Sequence, residues 1–225
     1  MSAAAWFVTG TDTEVGKTFT TCALLHAARR AGLRALGMKP VAAGAELVDR
    51  RLANEDALHL RAAGSFDPGL ELLNPYCLAS PVAPHLAARE EGVCIDPALI
   101  AARLAQLRAL ADCVFVEGAG GFRVPLADDY DMAMLARDLG LPVILVVGMR
   151  LGCINHALLT AEAVAARGLP LAGWIANRID PRMLRFEDNL EALRERLDAP
   201  LLGVLPHRAD GDAAAAGAGL ALPQP

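Results

Sequence analysis

The segment Gly10-Thr11-Asp12-Thr13-Glu14-Val15-Gly16-Lys17-Thr18 sets small, polar and cationic residues at a spacing that can hold a polyphosphate. A loop that wraps an anion needs successive backbone N–H groups turned inward, and a following helix N-terminus adds the positive end of a dipole. Gly16 lets the backbone come close, Lys17 brings a cation to the outer phosphates, and Thr18 offers a hydroxyl to Mg²⁺. The general phosphate-loop pattern puts its first glycine where this chain has Thr11, and Gly10 stands one residue early. A lone Gly-Lys-Thr occurs by chance at helix starts. Here it directly follows an amino-terminal apolar run, which gives the loop a strand on one side and a helix on the other.

A magnesium nucleotide site needs further oxygen ligands, because Mg²⁺ prefers six of them. Glu117 closes the run Val114-Phe115-Val116 and precedes Gly118-Ala119-Gly120-Gly121. From position alone such a glutamate could equally meet solvent. The small, flexible residues after it favour close approach by a ligand. Lys39 ends the run Gly37-Met38 before Pro40. Taken alone it reads as a lysine that snorkels to the surface; beside a phosphate loop it can offset charge on a phosphoryl group in transfer. Asp56 opens a helical stretch after Asn54-Glu55 and reads, without other information, as a first-turn or capping acid.

The elements that must position these groups are short apolar runs alternating with helical patterns. Strands are expected at Ala4 to Thr9, Leu33 to Lys39, Cys113 to Glu117, Pro142 to Val147, Leu171 to Ala176 and Leu201 to Leu205. Helices are expected near Lys17 to Ala31, Asp56 to Ala63, Asp96 to Leu110, Asp131 to Leu139, Asn155 to Arg167 and Pro181 to Leu197. Nearly continuous apolar strands separated by helices predict an α/β fold, a mostly parallel sheet with helices on both faces, and ligands at the strands' carboxyl ends. Residues 1–208 read as one ATP-binding domain, with Gly64 to Ala87 as an irregular, Pro/Gly-punctuated excursion. The Ala/Gly/Pro-rich tail, 209–225, is expected to be weakly ordered.

Hydrophobic residues form 54% of the chain and aromatics only 4%, so the core must be built from Ala, Leu, Val and Ile. A net charge of −5 and the lack of a basic tract argue against nucleic-acid binding; Arg29-Arg30 and Arg50-Arg51 read as solvated faces. No apolar run approaches the roughly 20 residues that span a bilayer, and Met1 to Ala5 carries no cationic signal segment. Five scattered cysteines without CxxC spacing read as reduced thiols of a cytoplasmic protein, and the five histidines lack metal-site spacing.

Together these pieces resemble the dethiobiotin synthetase family. The resemblance rests on Phe7 to Thr18, Lys39-Pro40-Val41-Ala42, Asp56-Ala57-Leu58, Asn74-Pro75-Tyr76, Pro84-His85 and Val116 to Gly121. It continues through Pro142 to Gly148, Leu151 to His156, Ala172 to Asn177 and Leu201-Leu202-Gly203. The displaced first glycine is how this family writes the loop. The resemblance implies an ATP-dependent ligase that joins CO₂ to 7,8-diaminopelargonate through a carbamate and a carbamic–phosphoric anhydride, closing a ureido ring. It implies ATP phosphates on Glu14, Val15, Gly16, Lys17 and Thr18, with Gly118, Ala119 and Gly120 nearby, and Mg²⁺ on Thr18, Asp56 and Glu117. Lys17, Lys39 and Thr13 take the catalytic roles. Asn177 would read adenine with Arg178 beside it, and Pro206, His207 and Arg208 would line the base pocket.

By the same resemblance, Gly152, Cys153, Ile154 and Asn155, at a helix start suited to a carboxylate, bind the substrate of the other subunit in a homodimer. The family commonly has a serine where this chain has Ala43. Loss of such a hydrogen bond typically costs about 0.5–1.5 kcal/mol, which predicts weaker substrate handling, a shifted pose or a substituting water. The competing reading is a ParA/MinD-like ATPase switch. Such proteins usually carry an extra lysine early in the phosphate loop, and Thr11 to Val15 has none. Relatives of the cobyrinate amide-forming synthases need a glutaminase domain for which 225 residues leave no space.

Overall fold

The computed structural model describes residues 3–48, 51–208 and 210–224. Met1, Ser2, Arg50 of the basic Arg50-Arg51 pair, and the tail residues Ala209 and Pro225 lie outside the described residues. The chain runs β1 (Ala4–Gly10), α1 (Lys17–Arg30), β2 (Ala35–Met38), β3 (Val41–Ala42), β4 (Glu46–Val48), β5 (Arg51–Ala53), α2 (Glu55–Ala63), α3 (Leu70–Leu73), β6 (Tyr76–Cys77), α4 (Pro84–Glu90) and α5 (Pro97–Leu110). It continues β7 (Cys113–Gly121), α6 (Met132–Asp138), β8 (Val143–Gly148), α7 (Cys153–Ala165), β9 (Leu171–Asn177), α8 (Phe186–Arg196), β10 (Leu201–Leu205) and α9 (Ala213–Ala216).

Six strands form one parallel sheet in the order β10-β9-β8-β1-β7-β2. Side chains alternate across a strand, and the sheet divides its apolar residues accordingly. Phe7, Val114, Val116 and Val143 join the core under α5 and α6, while Trp6, Val8, Phe115, Ile144 and Val146 join the core under α1 and α2. Leu145, Val147 and Trp174 meet α7 and α8. Trp6 and Phe115 stack with ring centres 5.3 Å apart. With both faces covered, the strands read as continuous apolar runs, as parallel strands do.

The strand order sets the site. β1 lies centrally, flanked by β7 and β8, and β2 pairs with the far side of β7, so the carboxyl ends of β1, β7 and β2 open on one edge. The structure differs from the sequence reading in several places. β7 runs on through Gly118 to Gly121, because Gly121 pairs with Gly10 of β1. A small antiparallel hairpin, β4–β5, follows the second strand. α8 begins at Phe186, not Pro181.

Another difference is the tail, which packs against the rest of the chain along 210–224. Asp212 caps α9, Ala216 is buried, and Arg30 Nη1 donates to the Ala214 carbonyl at 3.1 Å. The Ala221 N–H donates to the Leu202 carbonyl at 2.8 Å, and the Trp6 indole to the Gln224 carbonyl at 3.3 Å. Composition suggested a flexible segment; packing of its small residues on α1 and β10 holds it. No disulfide joins the five cysteines, and no helix among the described residues is long and apolar enough to cross a membrane.

Candidate active site

β1 ends at Gly10 and α1 begins at Lys17, so the loop between them lies at the sheet's carboxyl edge. Gly16 caps α1 at φ 82°, a left-handed conformation natural to glycine. A Cβ there would also stand 2.1 Å from the Asn177 amide nitrogen. Gly10 meets a different limit: a Cβ would fall 2.6 Å from Val15 Cγ2. The loop's own packing therefore requires glycine at position 10, and the early glycine of this chain has a steric cause. Glu14 is exposed in the left-handed region at φ 59°. Lys17 is buried and donates to the Asp12 carbonyl at 3.0 Å. Burial, then repulsion from Lys39, pushes its pKa down to about 8, against the pull of Glu117, Asp56 and Asp12.

Four side chains from four elements converge beside this loop. Lys39 Nζ, just after β2, lies 2.7 Å from Asp56 Oδ2 and 2.6 Å from Glu117 Oε1. It also donates to the Gly118 carbonyl at 3.3 Å. Thr18 Oγ1 lies 2.6 Å from Asp56 Oδ1 and 2.9 Å from Glu117 Oε1. Lys39 is 3% exposed and Glu117 0%. Burial alone would drive the Lys39 ammonium towards neutrality, but Glu117 and Asp56 outweigh it and raise its pKa. For Asp56 the desolvation that opposes charge is overcome by Lys39 and by the Thr18 hydroxyl, which lower its pKa.

This cluster fits a hard divalent cation. One threonine proton cannot serve both carboxylates, which only accept when ionised, so Thr18 Oγ1, Asp56 Oδ1 and Glu117 Oε1 crowd together, with the Lys39 ammonium adding a hydrogen at Glu117 Oε1 alone. Glu117 Oε2 is buried and has no partner. Oxygen-only donors at this spacing suit Mg²⁺.

Thr18, Lys39 and Asp56 of the cluster head, with the loop, one cavity of about 810 Å³, while Glu117 is buried and does not line it. Thr13, Glu14, Gly16, Lys17 and Thr18 form one wall; Lys39, Ala43, Asp56, Ala119 and Gly120 form another. Sequence reasoning missed the rest. Pro81, Val82, Ala83 and Pro84 close the apolar side, together with Ala42 and Val124, and Asn54 adds a polar group to the lining. Pro81 to Pro84 come from the excursion, whose β6 pairs in parallel with β3 (Val41↔Tyr76, Ala42↔Cys77) and so brings them to the cavity wall. Asn74 is buried and donates to the Lys39 carbonyl at 2.7 Å, bracing that turn. Among these, only Asn54 carried a local signal, as an Asx cap before Asp56.

Other expected residues lie apart from this cavity. Asn177 is buried beneath the phosphate loop and donates to the Val15 carbonyl at 2.9 Å. The Arg178 guanidinium turns away, 4.9 Å over the Phe186 ring, and donates to the Pro181 carbonyl. Pro206 and His207 follow β10 on the surface, and Arg208 pairs with Asp210 at 2.6 Å. Gly152 caps α7 at φ 95°. Cys153 is buried, and burial raises its thiol pKa. Ile154 is half-buried and Asn155 exposed, beside Leu151 at 95% exposure. None of these four lines the cavity of its own chain.

Comparison with known proteins identifies the family. The sequence profile of a family described as an AAA domain matches residues 4–215. The chain is 73% identical over 219 residues to the ATP-dependent dethiobiotin synthetase BioD of Aromatoleum aromaticum, covering 97% of both chains. It is 54% identical over 207 residues to the enzyme of the same name from Xylella fastidiosa, covering 92% of both. Among solved structures it is similar to the septum site-determining protein MinD of Pyrococcus horikoshii complexed with Mg-ADP. The TM-score is 0.59 at 21% identity, over 96% of this chain and 86% of that one. A ParA family ATPase from Chlorobium tepidum superposes with a TM-score of 0.58 at 11% identity, over 97% and 91% of the two chains. At such identities the structural likeness speaks for the fold alone. The sequence relatives speak for more: the chain belongs to the dethiobiotin synthetase family, ATP-dependent ligases built on the P-loop fold.

Proposed function

We propose that the chain converts 7,8-diaminopelargonate, CO₂ and ATP into dethiobiotin, ADP and phosphate, as a cytoplasmic homodimer. One amine of the substrate attacks the carbon of CO₂, a C–N bond forms, and the amine loses a proton to leave a carbamate. A carbamate oxygen then attacks the γ-phosphorus; the bond to the β-phosphate oxygen breaks and ADP departs. The second amine attacks the carbonyl carbon of the resulting mixed anhydride, a C–N bond forms, the C–O bond to phosphate breaks, and the amine loses a proton as phosphate leaves and the ureido ring closes.

The observation that carries this reading is the convergence of Lys39, Asp56, Glu117 and Thr18 within 2.6–2.9 Å at the head of a cavity that also holds the phosphate loop. Glu14 to Thr18 cradle the phosphates, with Gly118, Ala119 and Gly120 opposite. Thr18, Asp56 and Glu117 would hold Mg²⁺, which when bound neutralises phosphate charge. Lys17 and Lys39 oppose the charge that builds on the phosphoryl group and the carbamate; fixed cations in a water-poor site act most strongly where charge develops. Thr13, at the rim, lies within the same wall. The Pro81–Pro84 segment, Ala42 and Val124 give the substrate's aliphatic chain an apolar surface and exclude water. Asn177 reads the base from beneath the loop, with the backbone at Arg178 and the segment Pro206–Arg208 beside it.

The helix start at Gly152–Asn155 does not line the cavity of its own chain. The Cys153 N–H already donates to the Arg150 carbonyl at 3.0 Å, and the remaining N–H groups of this helix start would receive the substrate carboxylate in the partner subunit's site. Purified protein incubated with ATP, Mg²⁺, bicarbonate and the diamine should release one phosphate per ureido ring. Phosphate release that ignores the diamine would instead favour a nucleotide switch and end this reading.

A further inference from the structure

Asn54 lines the cavity between Ala43 and Asp56 and is 8% exposed. Its carboxamide is divided between two segments. Oδ1 accepts from the Asp56 N–H at 3.1 Å and so caps α2, while its backbone carbonyl accepts from the Leu58 N–H at 3.0 Å. Nδ2 donates to the Ala43 carbonyl at 3.2 Å. One side chain therefore joins the turn after β3, which presents Ala43 to the cavity, to the first turn of the helix that presents Asp56 to Lys39 and Thr18.

Capping alone does not explain this residue. Asparagine, aspartate and serine cap helices about equally well. Of the three, only asparagine separates an acceptor oxygen from N–H donors across a rigid plane. A serine hydroxyl has one oxygen to serve both segments, and an aspartate carboxylate would face the Ala43 carbonyl with no hydrogen to give.

We propose that Asn54 is a positioning residue that holds the substrate-side turn at Ala43 in register with Asp56. The inference rests on the function proposed above and deepens it. When Nδ2 is lost, the turn at residues 42–44 is released from α2, and the wall that meets the diamine shifts while the phosphate loop, built on β1 and α1, stays in place. Misplacement of a substrate by about 1 Å can cost on the order of 10²-fold in rate. The effect should therefore fall on the diamine and leave ATP alone.

The test compares Asn54→Ser and Asn54→Asp, which keep the cap, with Asn54→Ala, which removes both bonds. Each is assayed beside the wild-type protein for KM of ATP, KM of the diamine, kcat and thermal midpoint. We expect Asn54→Ser and Asn54→Asp to melt within a few degrees of wild type and to keep the KM for ATP within about twofold. The KM for the diamine should rise about tenfold or more, with kcat falling alongside. Asn54→Ala should add a lowered melting point. If the serine and aspartate variants match wild type in every kinetic constant and only the alanine variant loses stability, Asn54 is a helix cap and the proposal is wrong. A wild-type protein that forms no ureido ring, with ATP still bound, would instead sink the functional reading and this proposal with it.

Discussion

The two lysines of the site sit in opposite kinds of structure. Lys17 belongs to a contiguous nine-residue loop, faces a backbone carbonyl, and has its charge weakened by burial to a pKa of about 8. Lys39 is held by two carboxylates from α2 and β7, and its charge is strengthened. In the function proposed above, phosphate would complete the environment of the first cation. The second is already neutralised and helps to hold the acids Asp56 and Glu117 in place. A backbone-built anion site and a side-chain ion cluster thus meet at one cavity, and they should respond differently to the same change.

The largest effect is shared. Lys17→Ala and Lys39→Ala should each lower ring-closing turnover by roughly 10³–10⁵, the range seen when a cation is removed from phosphoryl transfer. Near-normal rates in either variant would remove that lysine from the mechanism.

Stability should then separate the two. Lys39→Met leaves Glu117 buried without its counter-charge and should cost about 3–5 kcal/mol in urea unfolding, as breaking a buried pair does. The double change Lys39→Met with Glu117→Gln should recover most of that. Lys17→Met, by contrast, removes a charge whose burial is unfavourable and should leave stability unchanged or slightly higher. Equal losses in Lys39→Met and Lys17→Met would erase the distinction drawn here.

pH gives a third contrast. The Lys17 pKa is depressed before nucleotide binds, and phosphates favour the ammonium form, so binding must take up a proton above about pH 8. Linkage then predicts that ATP affinity falls by up to about tenfold per pH unit from pH 8 towards 9.5, with proton uptake visible by calorimetry in buffers of different ionisation enthalpy. Affinity that stays flat over this range would detach Lys17 from the phosphates. The smallest effect belongs to Ala43→Ser, which should lower the KM for the diamine by a factor consistent with one hydrogen bond, about 0.5–1.5 kcal/mol. An unchanged or higher KM would show that position 43 does not meet the substrate.

The sheet strands other than β7 were legible to within a residue or two at their ends, because a parallel strand buried on both faces leaves a continuous apolar run. The loop from Gly10 to Thr18 was legible for a related reason: its donors, cation and hydroxyl are neighbours in sequence. β7 misled at its end, since Gly118 to Gly121 look like a flexible run until the pairing of Gly121 with Gly10 is known. The tail misled through composition. Its alanines and glycines are poor in apolar area, and only their close fit against α1 and β10 shows that they are held. The β4–β5 hairpin and the wall at Pro81–Pro84 left no periodic signal, because both are short and defined by what they pack against.

What the chain's order of residues determined by itself was a phosphate site between the first strand and the first helix, on an α/β sheet of the P-loop kind. Such a site needs only local conformation: backbone N–H groups, a glycine that tolerates φ > 0, and a helix end. Residues 39, 54, 56, 81–84 and 117 became one site only through the tertiary structure. The central placement of β1, with β7 and β2 beside it in parallel register, sets their carboxyl ends on one edge. That placement is decided by burial of both sheet faces, a property of the whole chain that no short window of it contains.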